Sequence, residues 1–371
     1  MIGFNLDEYK GFKKYMYVFD VLIKKETSNK ELFLESLYIS PSSYRRVKND
    51  GNKVGEQICE DLCGYFKYQI CNDMIISQVQ EYINKIYFDV YYKKYQNYDE
   101  HIKWIDEMIE MKYLIFPLFL LFKLILILNN PKKQNNIVSD YQELYQEIKL
   151  YQDFFTDDLK ELVEITDVTF KKDIDSAFLA KNYHNVLTYH TLANRCLNMN
   201  RYIESLYFCD IAKKKFIEDE NYKRVYYINL VILANYNSLL KFDDAYLLSN
   251  KQIIALESIN NQDEEYLLTK KHLIISCLGL KKYNEVILYL NEFKKLTLSD
   301  ISCLLISYYY TDNKEYQKLL DNLINNSNVE VKEYVQVLNK YLHQRNKKNI
   351  YELEKYNINK IILDILRTII Y

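Results

Sequence analysis

Apolar residues recur every three or four positions along most of this chain, the spacing that places them on one face of an α-helix. Aromatic residues follow short polar turns, and most have a small or apolar residue three positions later. These aromatic anchors are Tyr98, Tyr202, Phe242, Tyr283 and Tyr316. The last four are spaced 40, 41 and 33 residues apart. This period predicts repeated helix pairs; the alternative is a helical bundle with chance periodicity.

One segment resembles the tetratricopeptide pattern, in which small residues let two paired helices approach closely. Its matching positions are Tyr189, Leu192, Ala193, Cys196, Tyr202, Ser205 and Ala212. The next segment repeats the turn with Phe242, Asp243 and Ala245. This resemblance implies an all-α fold in which residues 75–371 form a right-handed superhelix of helix pairs with a concave inner face. We expect this region to bind a ligand and to mediate dimerisation.

Residues 1–70 have a different pattern, with four or five short amphipathic segments that predict a small helical bundle. The first helix is expected over residues 6–25. Ser28 and Glu31 have the spacing of a capping box at the start of a second helix. A third helix is expected after Ser40 and a fourth over residues 52–70. The pattern therefore predicts a separate N-terminal domain over residues 1–70.

Within that domain, the stretch YISPSSYRRVKNDG follows an apolar helix and has the features of a helix-turn-helix. Such a motif needs two helices and a tight turn that share one apolar core. The expected core positions are Phe33 and Leu37 on the first helix, Ile39 in the turn, and Tyr44 and Val47 on the second. Ser40 is expected to cap the second helix, Pro41 to begin it, and Asp50 with Gly51 to end it.

The outer face of this second helix carries hydroxyl and basic side chains, namely Ser42, Ser43, Arg45, Arg46 and Lys48. From Pro41 to Lys53 the local charge is +3, whereas the whole chain has a net charge of −2. Hydroxyl groups at a helix N-terminus can bind phosphates, and arginine can bind either a guanine edge or a phosphate. The pattern predicts that these five residues bind double-stranded DNA; the alternative is a solvated basic helix.

The composition limits the remaining possibilities. Six glycines and three prolines are too few for the turns of a β-sandwich, a barrel or a nucleotide-binding α/β fold. The seven cysteines show no CxxC spacing, so reduced thiols in a cytosol are expected. Cys59 and Cys63 are interpreted as buried apolar residues rather than as a metal pair. No catalytic motif, cofactor site or metal site is predicted, and the chain is not expected to be an enzyme.

Two apolar segments raise the question of what covers them. The segment from Tyr113 to Leu128 contains Pro117 and Lys123 and is shorter than the roughly 20 apolar residues of a membrane span. It is therefore interpreted as a central buried helix, and no signal peptide is predicted. The final segment is also apolar, with Ile361, Ile362, Leu363, Ile365, Leu366, Ile369 and Ile370. It suggests either a homodimer through the C-terminal repeats or packing against the last repeat.

The whole layout resembles the RRNPP class of peptide-sensing regulators, which join an N-terminal helix-turn-helix to degenerate tetratricopeptide repeats. The match to their DNA-binding signature is carried by Ile39, Ser40, Tyr44, Arg46, Val47 and Gly51. Tyr38 stands where the signature has a turn glycine, Leu34 where it has a small alanine, and Lys48 where it has a glutamate; Gly51 lies one residue late. The resemblance implies a cytoplasmic, dimeric transcriptional regulator, controlled in quorum sensing by a short peptide in the concave face.

An extended peptide needs hydrogen-bond partners for its backbone, and asparagine offers both a donor and an acceptor. Asparagines follow Leu-Ala in two predicted helices, and nearby cations could bind a peptide carboxylate. The predicted peptide-binding residues are Asn194, Arg195, Asn198, Asn235, Asn237 and Lys271, with His272 as a further candidate. Two alternatives remain open: a tetratricopeptide adaptor without DNA binding, and a Rap-like protein whose N-terminal bundle binds a signalling protein.

Overall fold

The computed structural model describes residues 3–50, 55–130, 137–170, 185–260 and 264–369. These ranges contain twenty α-helices and no β-strand, so the predicted all-α class is confirmed. The chain divides into two compact units, Met1–Arg195 and Cys196–Tyr371. The domain boundary predicted near residues 70–75 lies inside the first unit.

The first unit is built around two helices, α1 and α7, on which the others pack. α1 contacts α2, α3 and α4, and α7 contacts α5, α6, α8 and α9. The helices are α1 (Phe12–Glu26), α2 (Lys30–Ser36), α3 (Pro41–Asp50), α4 (Gly55–Phe66), α5 (Asp73–Tyr91), α6 (Tyr98–Glu110), α7 (Phe116–Leu128), α8 (Ile137–Leu150) and α9 (Asp157–Phe170). The next helix, α10 (Val186–Asn198), contains the point of division between the units.

Two local predictions in this unit were wrong. The helix expected over residues 6–25 is interrupted at Gly11, whose backbone is extended, and a short 3₁₀ helix precedes the interruption. The capping box expected from Ser28 and Glu31 does not form. α2 begins later, and its cap is Asn29, whose side chain accepts a hydrogen bond from the backbone N–H of Leu32.

The apolar segment that could be mistaken for a membrane span is α7. Every residue of α7 is buried or half-buried, and Pro117 lies in its first turn, where a missing N–H costs little. Its single cation, Lys123, binds Asp106 of α6 at 2.6 Å. The interpretation as a central buried helix is confirmed. Among the residues with described positions, no helix is long and apolar enough to cross a bilayer.

In the second unit, each helix packs on the one that follows it, and α12, α14, α16 and α18 also pack successively on one another. One apolar core extends from α13 to α20. The helices are α11 (Tyr202–Glu218), α12 (Tyr222–Ser238), α13 (Phe242–Ser258), α14 (Glu264–Gly279), α15 (Tyr283–Leu290), α16 (Leu298–Thr311), α17 (Asn313–Asn326), α18 (Val329–Gln344), α19 (Lys347–Leu353) and α20 (Lys360–Ile369).

The aromatic anchors mark helix starts. Tyr98, Tyr202, Phe242 and Tyr283 are the first residues of α6, α11, α13 and α15, whereas Tyr316 lies in the second turn of its helix. The small positions between paired helices are also filled as expected, since Ala193, Ser205, Ala212 and Ala245 are all fully buried. The hydrophobic period therefore predicted these elements correctly.

One turn geometry recurs in the second unit. Asn200, Glu220, Leu240 and Lys281 all have φ between 54° and 59°, in the left-handed region. In each turn the next residue donates its N–H at 2.8 Å to the carbonyl group five positions earlier, which closes the end of the preceding helix. Glycine usually occupies such positions, but this chain has only six glycines. Four non-glycine residues instead bear the strain.

The last helix packs back on its own chain. α20 contacts α14, α16 and α19. Its residues Ile362, Leu363, Ile365 and Leu366 are buried, and Tyr341 of α18 donates a hydrogen bond to the carbonyl of Leu366. Of the two suggestions made for this apolar segment, packing within the chain is the one observed. The homodimer stays a prediction, but the buried face of α20 is no longer a reason for it.

Candidate functional site

The turn between α2 and α3 is tight. Tyr38 has φ 58°, and the N–H groups of Tyr38 and Ile39 donate to the carbonyls of Glu35 and Leu34, each at 2.9 Å. This is the conformation that a turn glycine would adopt most easily. The side chain of Tyr38 is 99% exposed, whereas Ile39 is buried. Tyr38 therefore takes the backbone conformation for which the family signature has glycine, and its side chain projects into solvent.

The start of α3 is capped as predicted. The backbone N–H of Ser43 donates to Oγ of Ser40 at 3.1 Å, and Pro41 is the first helical residue. The hydroxyl groups of Ser42 and Ser43 lie 3.1 Å and 2.8 Å from that of Ser40. Three hydroxyls therefore cluster at the N-terminus of α3, where the helix dipole favours negative charge. The predicted end at Gly51 lies outside the described residues.

The inner face of α3 is anchored to α1. Tyr44 is fully buried, and its hydroxyl lies 3.1 Å from the carbonyl of Met16 and 2.9 Å from Oδ1 of Asp20. Burial, together with the nearby Asp20 carboxylate, raises the pKa of Tyr44 above its ordinary value. Val47 is also buried. The two residues predicted for this face are confirmed there, and they fix the orientation of the opposite face.

The prediction for the core of α2 was wrong by one residue. Leu34 is the buried side chain, whereas Phe33 and Leu37 are half-buried. Phe33 instead packs at the edge of the core, with its ring centroid 5.1 Å from that of Tyr65 and 5.8 Å from that of Phe66.

The outer face of α3 exposes Ser42, Arg45 and Arg46. Arg45 forms an ion pair with Glu31 of α2 at 2.7 Å, but both side chains are more than 60% exposed. Water screens such a pair, which is typically worth ~0.2–1 kcal/mol, so a phosphate or a base could displace Glu31 at small cost. Arg46 makes no ion pair with any residue that the structure describes. These two guanidinium groups are the most available cations of α3.

Lys48 lies differently from the prediction. Its ammonium group binds Oδ2 of Asp20 at 2.6 Å and lies 4.8 Å from the ring centre of Tyr17, both on α1. Burial opposes the ionisation of Asp20, but hydrogen bonds from Lys30, Lys48 and Tyr44 outweigh it, and the pKa of Asp20 lies below its ordinary value. Lys48 is therefore paired with α1, and its contact with DNA stays a prediction.

Sequence reasoning missed the role of Asp20. It is the partner of two lysines and one tyrosine, and it lies within the apolar stretch YVFDVLI of α1. A carboxylate at such a position needs partners, because burying an unpaired charge is costly. An acid isolated in an apolar helix could therefore have indicated, from the sequence, that a basic residue of a neighbouring helix would pair with it.

Two of the predicted peptide-binding residues are fully buried on α12. Asn235 donates to Oγ of Ser205 on α11 at 2.8 Å. Asn237 donates to the carbonyl of His272 on α14 at 3.3 Å and accepts from the hydroxyl of Ser276 at 3.0 Å. Residues two apart on a helix point to nearly opposite sides, so the two amides face different neighbours. In this conformation neither amide is accessible to a ligand.

The other predicted peptide-binding residues remain at least partly exposed. Asn194 and Asn198 lie four residues apart on one side of α10, and Asn194 donates to the carbonyl of His190 at 3.1 Å. Arg195 and Lys271 are half-buried. Burial lowers the pKa of His272 to about 4, so its imidazole is neutral at pH 7 and offers no charge to a carboxylate. Lys271 is the better candidate for that role.

The cysteines of the described residues are free thiols in buried positions. Cys59 and Cys63 are buried in the first unit, and burial raises the pKa of both thiols, that of Cys63 to about 12. The described residues contain no group of three or more histidine, cysteine or acidic side chains arranged to hold a metal ion. The prediction that these two cysteines are buried is confirmed.

Comparison of the chain with protein-family models, with curated proteins and with solved structures finds no match.

Proposed function

We propose that this protein is a cytoplasmic transcriptional regulator that binds double-stranded DNA through α3 and is controlled by a short peptide bound to its C-terminal helical repeats. The observation that carries the proposal is the division of α3 into two faces. Tyr44 and Val47 hold one face in the bundle, while Arg45 and Arg46 are exposed on the other. Ser40 caps the N-terminus of the helix. This is how a recognition helix presents itself to a major groove.

The second unit supports a ligand-controlled switch. Helix pairs that stack on one another present one continuous surface, on which an extended peptide can contact several helices. Asn198 and Lys271 are the predicted peptide contacts of this unit that keep partial or full exposure. Asn235 and Asn237 are removed from the proposed site, because their hydrogen bonds join α12 to its neighbours. The proposed peptide contacts of this unit are therefore Asn198 and Lys271, while Asn194 and Arg195, at the end of the first unit, stay predictions.

The DNA-binding proposal is tested by fluorescence anisotropy with labelled duplexes from the gene's own promoter, with and without candidate peptides. If Arg46 reads a base, Arg46→Ala weakens binding by about 1–3 kcal/mol and relaxes sequence preference at one position. If Arg46 clamps a phosphate, the variant reduces the salt dependence by about one counterion. Arg45→Ala is measured in the same way.

A matched control is Lys318→Ala, which removes an exposed cation from α17 of the second unit. It is expected to leave DNA affinity unchanged. Circular dichroism establishes that each variant is folded. If the wild-type protein shows no sequence-specific, salt-sensitive binding under any of these conditions, the regulator proposal is abandoned.

One observation favours a second candidate, a repeat-type adaptor or a Rap-like regulator without DNA binding. Two of the three cations of α3 are already paired with carboxylates, Arg45 with Glu31 and Lys48 with Asp20. A surface built only for protein contacts would tolerate such pairing. In that case Arg46→Ala leaves every nucleic-acid measurement unchanged, while peptide binding to the second unit persists.

A further inference from the structure

The first unit contains an open groove of about 690 Å³ between α5 and α6. Apolar and aromatic side chains make up most of its lining, with three polar residues on the α5 side. The lining residues are Ile75, Gln78, Val79, Glu81, Tyr82, Lys85, Trp104, Met108, Met111 and Tyr113. A groove of this size and composition is typical of a binding site.

The two walls run antiparallel. His101 near the start of α6 contacts Asp89 near the end of α5 at 2.9 Å, and Trp104 stacks on Tyr82 with ring centroids 4.0 Å apart. The lining of α5 from Ile75 to Lys85 repeats at helical spacing and is about 15 Å long, given a rise of 1.5 Å per residue. About ten residues of a third helix would fit along this length.

The aromatic end of the groove is held rigidly. Tyr82 stacks on Trp104, whose ring meets that of Phe119 edge-on at 5.8 Å. The hydroxyl of Tyr82 lies 3.4 Å from Nδ1 of the buried His101, and Nε2 of that imidazole binds Asp89. A preformed aromatic platform loses little conformational entropy when a ligand binds, and Trp and Tyr are the residues most often found at binding hot spots.

The other end is adaptable. Met111 is 54% exposed, and Met108 lines the groove one turn earlier. Unbranched, polarisable methionine side chains can fit several apolar surfaces. The exposed Met111 and the partly exposed Trp104 line the same groove, and exposed apolar side chains grouped in this way are typical of interaction surfaces.

The α6 side of the groove is acidic. On α6 the exposed acids Asp99, Glu100, Glu107 and Glu110 outnumber the single exposed base Lys103, which pairs with Glu107 at 3.9 Å. The α5 wall carries one acid, Glu81, and one base, Lys85, whose ammonium group lies 5.2 Å from the centre of the Tyr82 ring. Burial raises the pKa of Tyr82, and the carboxylates of Glu100, Asp89 and Glu107 raise it further. Glu100 and Glu107 lie four residues before and three residues after Trp104 on α6, so they share the side of the helix that carries the tryptophan.

We propose that this groove binds a basic amphipathic helix of a partner protein. Apolar side chains at positions i, i+3 or i+4, and i+7 of that helix would lie on Trp104, Met108 and Met111. Lysine or arginine side chains on its flanks would face Glu100 and Glu107. Helix-in-groove binding uses this combination of flexible apolar lining and charged rim. The proposal concerns a surface separate from α3 and does not depend on DNA binding.

Trp104 is the only tryptophan of the chain, so its fluorescence reports directly on the groove. The full-length protein is titrated with a synthetic 14-residue peptide of leucine and lysine whose leucines lie on one helical face. The expected result is a saturable blue shift of the emission. A peptide of the same composition with its leucines scattered, and one with glutamate in place of lysine, are expected to bind at least about tenfold more weakly.

Met111→Lys adds a cation to the groove and is expected to weaken binding of the basic peptide about tenfold, measured by anisotropy of labelled peptide. The matched control is Met199→Lys, at an exposed methionine of the second unit, which is expected to change nothing. Circular dichroism shows whether both variants are folded. Glu107→Lys, at another exposed position of the rim, is expected to weaken binding of the basic peptide as well, because it reverses a charge that the proposal places opposite a lysine.

Three results would overturn the proposal. The first is equal binding of the amphipathic and scattered peptides. The second is equal weakening by Met111→Lys and Met199→Lys. The third is a self-association, seen by light scattering, that Met111→Lys abolishes while no peptide binds; the occupant would then be a second copy of this chain. Loss of DNA binding by Arg46→Ala is unrelated to all three, so the two proposals fail separately.

Discussion

Gly279, the last residue of α14, lies against the ring of Phe242, the first residue of α13. A Cβ atom added at Gly279 would lie 2.4–2.5 Å from three carbons of that ring. Carbon atoms in good contact are about 3.5–4.0 Å apart, so Gly279→Ala creates an overlap of more than about 1 Å. The nearest of these atoms include Cγ, which is close to the backbone of Phe242, so the ring cannot simply swing away.

The expected cost is the difference of two terms. Overpacking of this kind costs about 1–3 kcal/mol. Alanine in place of glycine in a helix recovers roughly 0.5–1 kcal/mol. The net destabilisation of Gly279→Ala is therefore between about 0 and 2.5 kcal/mol, which lowers the melting temperature by up to roughly 10 °C for a domain of this size. Thermal and urea unfolding followed by circular dichroism measure it.

A double-mutant cycle identifies the cause. In a Phe242→Ala background the clash is absent, and Gly279→Ala becomes neutral or slightly stabilising. Gly64→Ala is the matched control, because Gly64 lies within α4 and an added Cβ there meets no atom within 4 Å. That variant is expected to gain about 0.5–1 kcal/mol. Equal destabilisation by Gly279→Ala in both backgrounds would refute the close approach of the two helices.

Three further predictions concern the bundle and the repeats. Asp20→Asn is expected to destabilise the protein by about 1–3 kcal/mol in urea unfolding, because it removes charge-assisted bonds to Lys48 and Lys30. The pKa of Asp20 is lower in the folded than in the unfolded state, so its ionised carboxylate stabilises the fold above the unfolded pKa of about 4. This stabilisation is lost as the pH falls through the pKa of the folded state. The stability of Asp20→Asn is expected to lack this part of the pH dependence. The pKa of the half-buried His272 is expected to lie near 4 by NMR; a value above 6 would show that its imidazole is not desolvated. Tyr38→Gly relieves a left-handed backbone and is expected to stabilise the protein by about 0.5 kcal/mol, whereas Tyr38→Val destabilises it, and identical melting temperatures for the two variants would count against the strain.

The helices themselves could be predicted from the sequence because their apolar period and their turns are local signals. The starts of α11, α13 and α15 coincide with the aromatic anchors, and the cap and inner face of α3 lie where the motif requires. These features depend on residues within a few positions of one another. Short-range sterics and hydrogen bonding decide them.

The partners of individual polar residues could not be predicted in the same way. Lys48 binds an acid 28 positions earlier in the chain, and Asn235 binds a hydroxyl 30 positions earlier. Such pairs exist only after the helices have packed, and a shift of helix phase by one residue exchanges a buried amide for an exposed one. The groove of Trp104 was missed for the same reason, since its two walls come from different helices.

The return of α20 to α14 and α16 has a consequence for biosynthesis. During translation the part of this surface that α14 and α16 form has been made by residue 311, but α20, which covers it, is completed roughly 60 residues later. At about 5–20 residues per second this interval is on the order of 3–12 s. Throughout it, apolar side chains of α14 and α16 remain open to water and to chaperones. The second unit of a nascent chain therefore completes its apolar core only after Ile362 and Leu366 have been synthesised and have packed against α14 and α16.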